Sequence, residues 1–116
     1  MIEVKKPLIV PKIWGYEEIL VNNDRYCGKK LHLNEGYRCS MHRHKKHETF
    51  SIESGLVYLE IEDNSIVEEL LLEPGNILDI PFNTYHRFSG IENSLIGETS
   101  TPDVESERKT QSERIP

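Results

Sequence analysis

The stretch GYRCSMHRHKKHETFSIESG, from Gly36 to Gly55, decides how this chain folds. Read as extended backbone, it puts Arg38, Ser40, His42 and His44 on one side and Tyr37, Cys39, Met41 and Arg43 on the other. After the polar break Lys45-Lys46-His47 the alternation resumes. Glu48, Phe50 and Ile52 then share a face, opposite Thr49, Ser51 and Glu53. Period-two patterning bounded by glycine marks half-buried strands. Strands are predicted over 37–44 and 48–53, with His42 and His44 pointing the same way and Glu48 able to reach the same point from the neighbouring strand.

The same pattern extends in both directions. Short strands are predicted at 18–22, 27–33, 56–62, 66–72, 77–80, 85–89 and 94–99. Turn residues separate them: Asn22-Asn23-Asp24, Asn34-Glu35-Gly36, Asp63-Asn64-Ser65 and Pro74-Gly75. Leu70-Leu71-Leu72 is continuous apolar sequence and is read as a strand buried on both sides. No segment offers an amphipathic helix, and there is no internal repeat. The fold class is therefore all-β, with a jelly-roll or related closed barrel that also removes exposed strand edges. Residues 1–10 are expected to form an N-terminal extension, 11–100 the barrel and 101–116 a polar tail. Partial order is expected over 101–108 and disorder beyond it, unless the tail wraps across the barrel as an extended arm.

With 116 residues the chain suits one domain, and 36% hydrophobic residues allow a modest core. The net charge of -6 argues against nucleic acid, whose binding needs a basic stripe. The one dense basic run, Arg43-His44-Lys45-Lys46-His47, lies inside the histidine-rich stretch. Cys27 and Cys39 form no CxxC pair and are read as reduced thiols. Pro7 and Pro11 interrupt the N-terminus, and no run approaches the roughly 18 apolar residues of a membrane helix. A cytoplasmic protein without membrane contact is expected.

Gly36-x5-His42-x-His44-x3-Glu48-x6-Gly55 resembles the first motif of the cupin superfamily at each fixed position. Gly75-x5-Pro81-x-Asn83-x2-His86 resembles the second, with Asn83 in place of the usual glycine and Gly90 where asparagine is common. Both replacements suit left-handed turn positions. The resemblance implies a single-domain cupin, a double-stranded β-helix, holding one divalent metal ion through His42, His44, Glu48 and His86. Three imidazoles and a carboxylate suit Zn²⁺, Mn²⁺, Fe²⁺, Ni²⁺ or Cu²⁺. The absence of cysteine from this set favours a site that binds something over a closed structural zinc site.

Trp14-Gly15-Tyr16-Glu17, Gly28-Lys29-Lys30-Leu31 and Glu98-Thr99-Ser100-Thr101-Pro102 resemble the mannose-6-phosphate isomerase type of cupin domain, a likeness spanning about residues 11–105. It implies an aldose–ketose isomerase or epimerase acting on a sugar or sugar phosphate, and the superfamily resemblance implies a homodimer. For the proton-transfer base Lys30 is favoured over Glu53, whose parity points it away from the interior. Arg38 could bind a carboxylate or phosphate of the substrate, or form a salt bridge at the barrel rim. Two other classes compete with the isomerase: a non-catalytic metal-dependent sugar-binding domain and an Fe(II)-dependent dioxygenase.

Overall fold

The computed structural model describes residues 1–116, and all its regular elements are strands. They are β1 (Leu8–Lys12), β2 (Gly15–Asn22), β3 (Cys27–Leu33), β4 (Tyr37–Arg38), β5 (His42–His44), β6 (Glu48–Ser54) and β7 (Val57–Asp63). There follow β8 (Ile66–Leu72), β9 (Ile77–Ile80), β10 (Tyr85–Gly90), β11 (Ser94–Ser100), β12 (Ser106–Arg108) and β13 (Glu113–Arg114). No helix is long and apolar enough to cross a membrane.

One sheet runs β1-β2-β3-β11-β6-β9. In the other, β8 pairs β7 and β7 pairs β10, while the opposite edge of β10 carries both short strands β4 and β5. Each of these holds one strand of the C-terminal tail: β12 on β5 and β13 on β4. Alternation explains the core between the sheets. On β6, Phe50 and Ile52 are buried, and on β7 so are Val57, Leu59 and Ile61, each two residues from the next. Phe88, Ile96 and Trp14 close the same cluster. Burying each such side chain contributes about 1.5–3 kcal/mol.

Backbone chemistry fits the turns. Asn64 and Ser65 both have positive φ, 49° and 67°, in the two-residue turn that pairs Asp63 with Ile66. Asn83 has φ 56°, the left-handed conformation expected at that motif position. Gly90 differs from expectation. It lies within β10, and its requirement for glycine is crowding, since an added Cβ would come 2.6 Å from the Asn34 carbonyl oxygen.

Four other expectations change. The strand predicted over 37–44 is broken at Cys39–Met41. Arg38 pairs with Ser89 while His42 pairs with His86, so four steps on one side span three on the other. That extra residue is a bulge, and it reverses the parity between Arg38 and His42. Leu70–Leu72 is buried on one side only, because β8 is the outer strand of a hairpin and Leu71 stays exposed. A strand, β1, lies at Leu8–Lys12, ahead of the first predicted one. Residues beyond 108, expected to be disordered, carry β13 and are tied down by Ile115 N donating to Gly36 O at 2.7 Å.

Candidate metal centre

His42 and His44 lie on β5 and His86 on β10, directly opposite His42. One ligand atom from each lies within 4.8 Å of the others. Glu48 comes from the other sheet at the start of β6. Its Oε1 is 3.4 Å from His44 Nε2 and its Oε2 is 3.5 Å from His86 Nε2. The four side chains converge, and His86 and Glu48 are buried.

The surroundings prepare these groups for a cation. Nδ1 of His42 donates to the Ser40 carbonyl at 2.7 Å and Nδ1 of His86 to the Thr84 carbonyl at 2.9 Å. Each ring is thereby oriented with Nε2 left as a lone-pair donor. Burial, reinforced by the neighbouring histidine His42, pushes His86 down to about 3 and His44 to about 4, so both stay neutral near pH 7. Burial and then the Glu98 charge push the Glu48 carboxyl up to about 8. Glu48 Oε2 and His44 Nδ1 are buried without a hydrogen-bond partner. Neutral imidazoles, an unsatisfied carboxylate oxygen and no thiol among them fit a divalent ion.

Beside this set lies a buried ionic network. The Lys46 ammonium is 2.8 Å from Glu98 Oε2, 2.5 Å from Asp103 Oδ1 and 4.0 Å from Glu48 Oε1. Lys29 meets Asp103 Oδ2 at 2.5 Å and Glu17 Oε1 at 3.5 Å. Burial opposes the charge of both lysines, but the carboxylates outweigh it and raise them above the ordinary lysine value. The imidazoles, Glu48, Glu17, Glu98, Lys29 and Lys46 all line one cavity of about 120 Å³. That volume is below the roughly 300–1,000 Å³ of pockets for drug-sized ligands and suits a small polar molecule.

Lys30 and Arg38 are not brought to this cavity. Lys30 is on the outer face of β3, 38% exposed and 3.9 Å from Glu53, because strand alternation sends its neighbours Lys29 and Leu31 inward. Arg38 is turned outward by the bulge and ion-pairs with Glu113 of the tail. The inward residues that sequence reasoning missed, Lys29 and Lys46, had a signal. The chain leaves β5 and crosses to the other sheet at Lys45-Lys46-His47, but the burial alternation of 42, 44, 46, 48, 50 and 52 carries through the crossing, so Lys46 is buried while Lys45 and His47 are exposed. Glu98 and Asp103 could not be found this way, since their partners lie more than fifty residues away.

Solved structures share this architecture. Oxalate decarboxylase from Bacillus subtilis, in a deletion mutant, superposes with TM-score 0.78 over 89% of this chain and 30% of its own, at 15% identity. The capsular polysaccharide assembling protein CapF of Staphylococcus aureus matches with TM-score 0.75 over 97% of this chain and 35% of its own, also at 15% identity. The fold is the cupin fold. No family model matches the chain. Among curated proteins, this chain is 34% identical to a D-lyxose/D-mannose isomerase of Thermosediminibacter oceani, over 72% of this chain and 60% of the relative. It is 30% identical to a D-lyxose ketol-isomerase of a Thermofilum species, over 75% and 62%. The chain thus spans about three fifths of the length of these relatives.

Proposed function

We propose that this cupin is a metal-dependent aldose–ketose isomerase for a small aldose of the D-lyxose or D-mannose kind. The curated relatives named above are sugar isomerases, and the mannose-6-phosphate isomerase resemblance implies the same reaction on a phosphorylated sugar. D-lyxose and D-mannose share configuration at C2, C3 and C4, so a pocket reading those carbons would accept both.

The observation that carries this reading is the placement of a carboxylate and two ammoniums in the cavity that holds the histidines. His42, His44, Glu48 and His86 would hold the ion. A bound divalent ion supplies charge stabilisation for an enediolate. Glu98 is the base in this reading. Its Oε2 accepts from Lys46 at 2.8 Å and from Ser100 Oγ at 2.9 Å, which fixes the carboxylate, while no protein donor occupies Oε1. Glu98 takes the proton from C2 and returns it to C1, while the O2 hydroxyl gives up its proton and O1 gains one, exchanged with water. Lys46 and Lys29, held cationic by their carboxylate neighbours, offset negative charge developing on the sugar oxygens and serve as donors.

The test is incubation of the Mn²⁺- or Zn²⁺-loaded chain with D-lyxose and D-mannose, following D-xylulose and D-fructose. Conversion is expected, with deuterium entering C1 of the ketose in D₂O. No conversion with any divalent ion leaves a sugar-binding domain and removes the isomerase reading.

A further inference from the structure

The C-terminal tail does more than cover the barrel edge. β12 runs antiparallel to β5 with Arg108 opposite His42, Glu107 opposite Arg43 and Ser106 opposite His44. Directly paired residues present their side chains on the same face. Glu107 and Arg43 do so on the outside, meeting at 2.7 Å. Arg108 and Ser106 therefore stand on the inner face beside two imidazoles, and both line the cavity.

The charges at this mouth are unbalanced. Deeper in, Lys29 and Lys46 are matched by Glu17, Glu98 and Asp103. Arg108 has no carboxylate partner, and its side chain hydrogen-bonds to Gln111 Oε1 at 3.4 Å. Lys12, at the end of β1, lines the same cavity and forms no ion pair. A chain of net charge -6 thus keeps two cations without ion pairs at the cavity that holds the three imidazoles. The strap that carries Arg108 is fixed. Lys109 N donates to Met41 O at 2.8 Å, Met41 N to Thr110 Oγ1 at 2.9 Å, and Glu113 pairs with Arg38. A pre-positioned guanidinium loses little freedom on binding and presents a planar fork that matches phosphate or carboxylate oxygens.

The geometry points to Arg108, assisted by Lys12, as the specificity-determining residue for an anionic group, a phosphate or a carboxylate, on the sugar held in the cavity. The sugar part rests on the isomerase reading. Recognition of the anion rests on the register of β12 and the charges of the mouth.

The test is equilibrium titration of the Mn²⁺-loaded full chain with D-mannose, D-mannose 6-phosphate, D-mannuronate and inorganic phosphate. Wild type, Arg108→Gln, Arg108→Lys and Lys12→Gln are compared. At least one anionic sugar should bind tenfold or more tightly than D-mannose, and which one does so separates phosphate from carboxylate. R108Q should remove that preference, R108K should keep part of it, and K12Q should reduce it, serving as the readout if R108Q does not fold. Equal affinity for all three sugars, or a preference that survives R108Q, overturns the proposal and leaves the isomerase reading standing. Arg108-dependent binding of inorganic phosphate without binding of any sugar does the reverse. No binding of any of the four overturns both.

Discussion

The ammonium of Lys46 stands 4.0 Å from Glu48 Oε1, with both side chains almost wholly withdrawn from water. The same ammonium separates Glu98 from Asp103, so one cation stabilises a buried and a half-buried carboxylate. Lys46→Met should therefore destabilise the fold by about 3–5 kcal/mol, the range for removing one partner of a buried ion pair. Urea unfolding of the metal-free chain measures it. A loss below 1 kcal/mol would mean that the network is open to solvent.

The pH dependence of the metal-free chain follows from the signs of the shifts. Burial lowers the folded values of His42, His44 and His86 below the ordinary 6.5. The unfolded chain then takes up these protons first, and stability falls as pH drops below about 6.5. Glu48 behaves oppositely. Its folded value of about 8 lies above the ordinary 4.5, so the proton it keeps contributes stability that is lost as pH rises from 4.5 through 8. These groups together place the maximum near pH 6.5. An ion at the site favours ionised Glu48, so the rise in Tm on adding Mn²⁺ should be larger at pH 8 than at pH 5.5. Thermal melts with and without chelator check this, and a shift independent of pH contradicts it.

Lys30 and Glu98 should respond very differently to substitution. Lys30 is more than one third exposed and its contact with Glu53 is a long surface pair, so Lys30→Ala should change stability by less than about 0.5 kcal/mol and leave turnover intact. Glu98→Gln keeps the shape but removes the proposed base, and kcat for D-lyxose should fall by about 10²-fold or more. Steady-state kinetics of the two variants decides between the faces of the sheet.

Phe50 packs beside His86 in the core. Its ring centroid is 6.2 Å from that of His86 and 4.8 Å from that of Phe88, and only 2% of the residue is exposed. Phe50→Ala should cost about 3–5 kcal/mol and also weaken metal binding, because His86 loses the surface that supports its ring. Chemical denaturation and metal titration of this variant read the two effects separately.

Much of this molecule was legible in the sequence, because alternation and turn chemistry are local. β3 and β9 fall where patterning put them, His42, His44 and Glu48 lie together as alternation implied, and His86 lies beside them where only the cupin resemblance had put it. What was not legible depends on a non-local event. The bulge at Cys39–Met41 reverses the side of Arg38, and nothing in those residues announces it. Beyond residue 108 the tail reads as too polar to order, since composition weighs apolar burial. Yet its strands are held by backbone pairing and by ion pairs from Glu107, Lys109 and Glu113 to the barrel.

His42, His44, His86 and Glu48 are proposed to grip one divalent ion together. An anomalous difference map from a crystal grown with Mn²⁺ would reveal that ion. A single strong peak is expected within about 2.0–2.3 Å of three imidazole Nε2 atoms and a Glu48 oxygen. A map without a peak there, or with the ion seated instead among Cys27, Glu98 and Asp103, would contradict it.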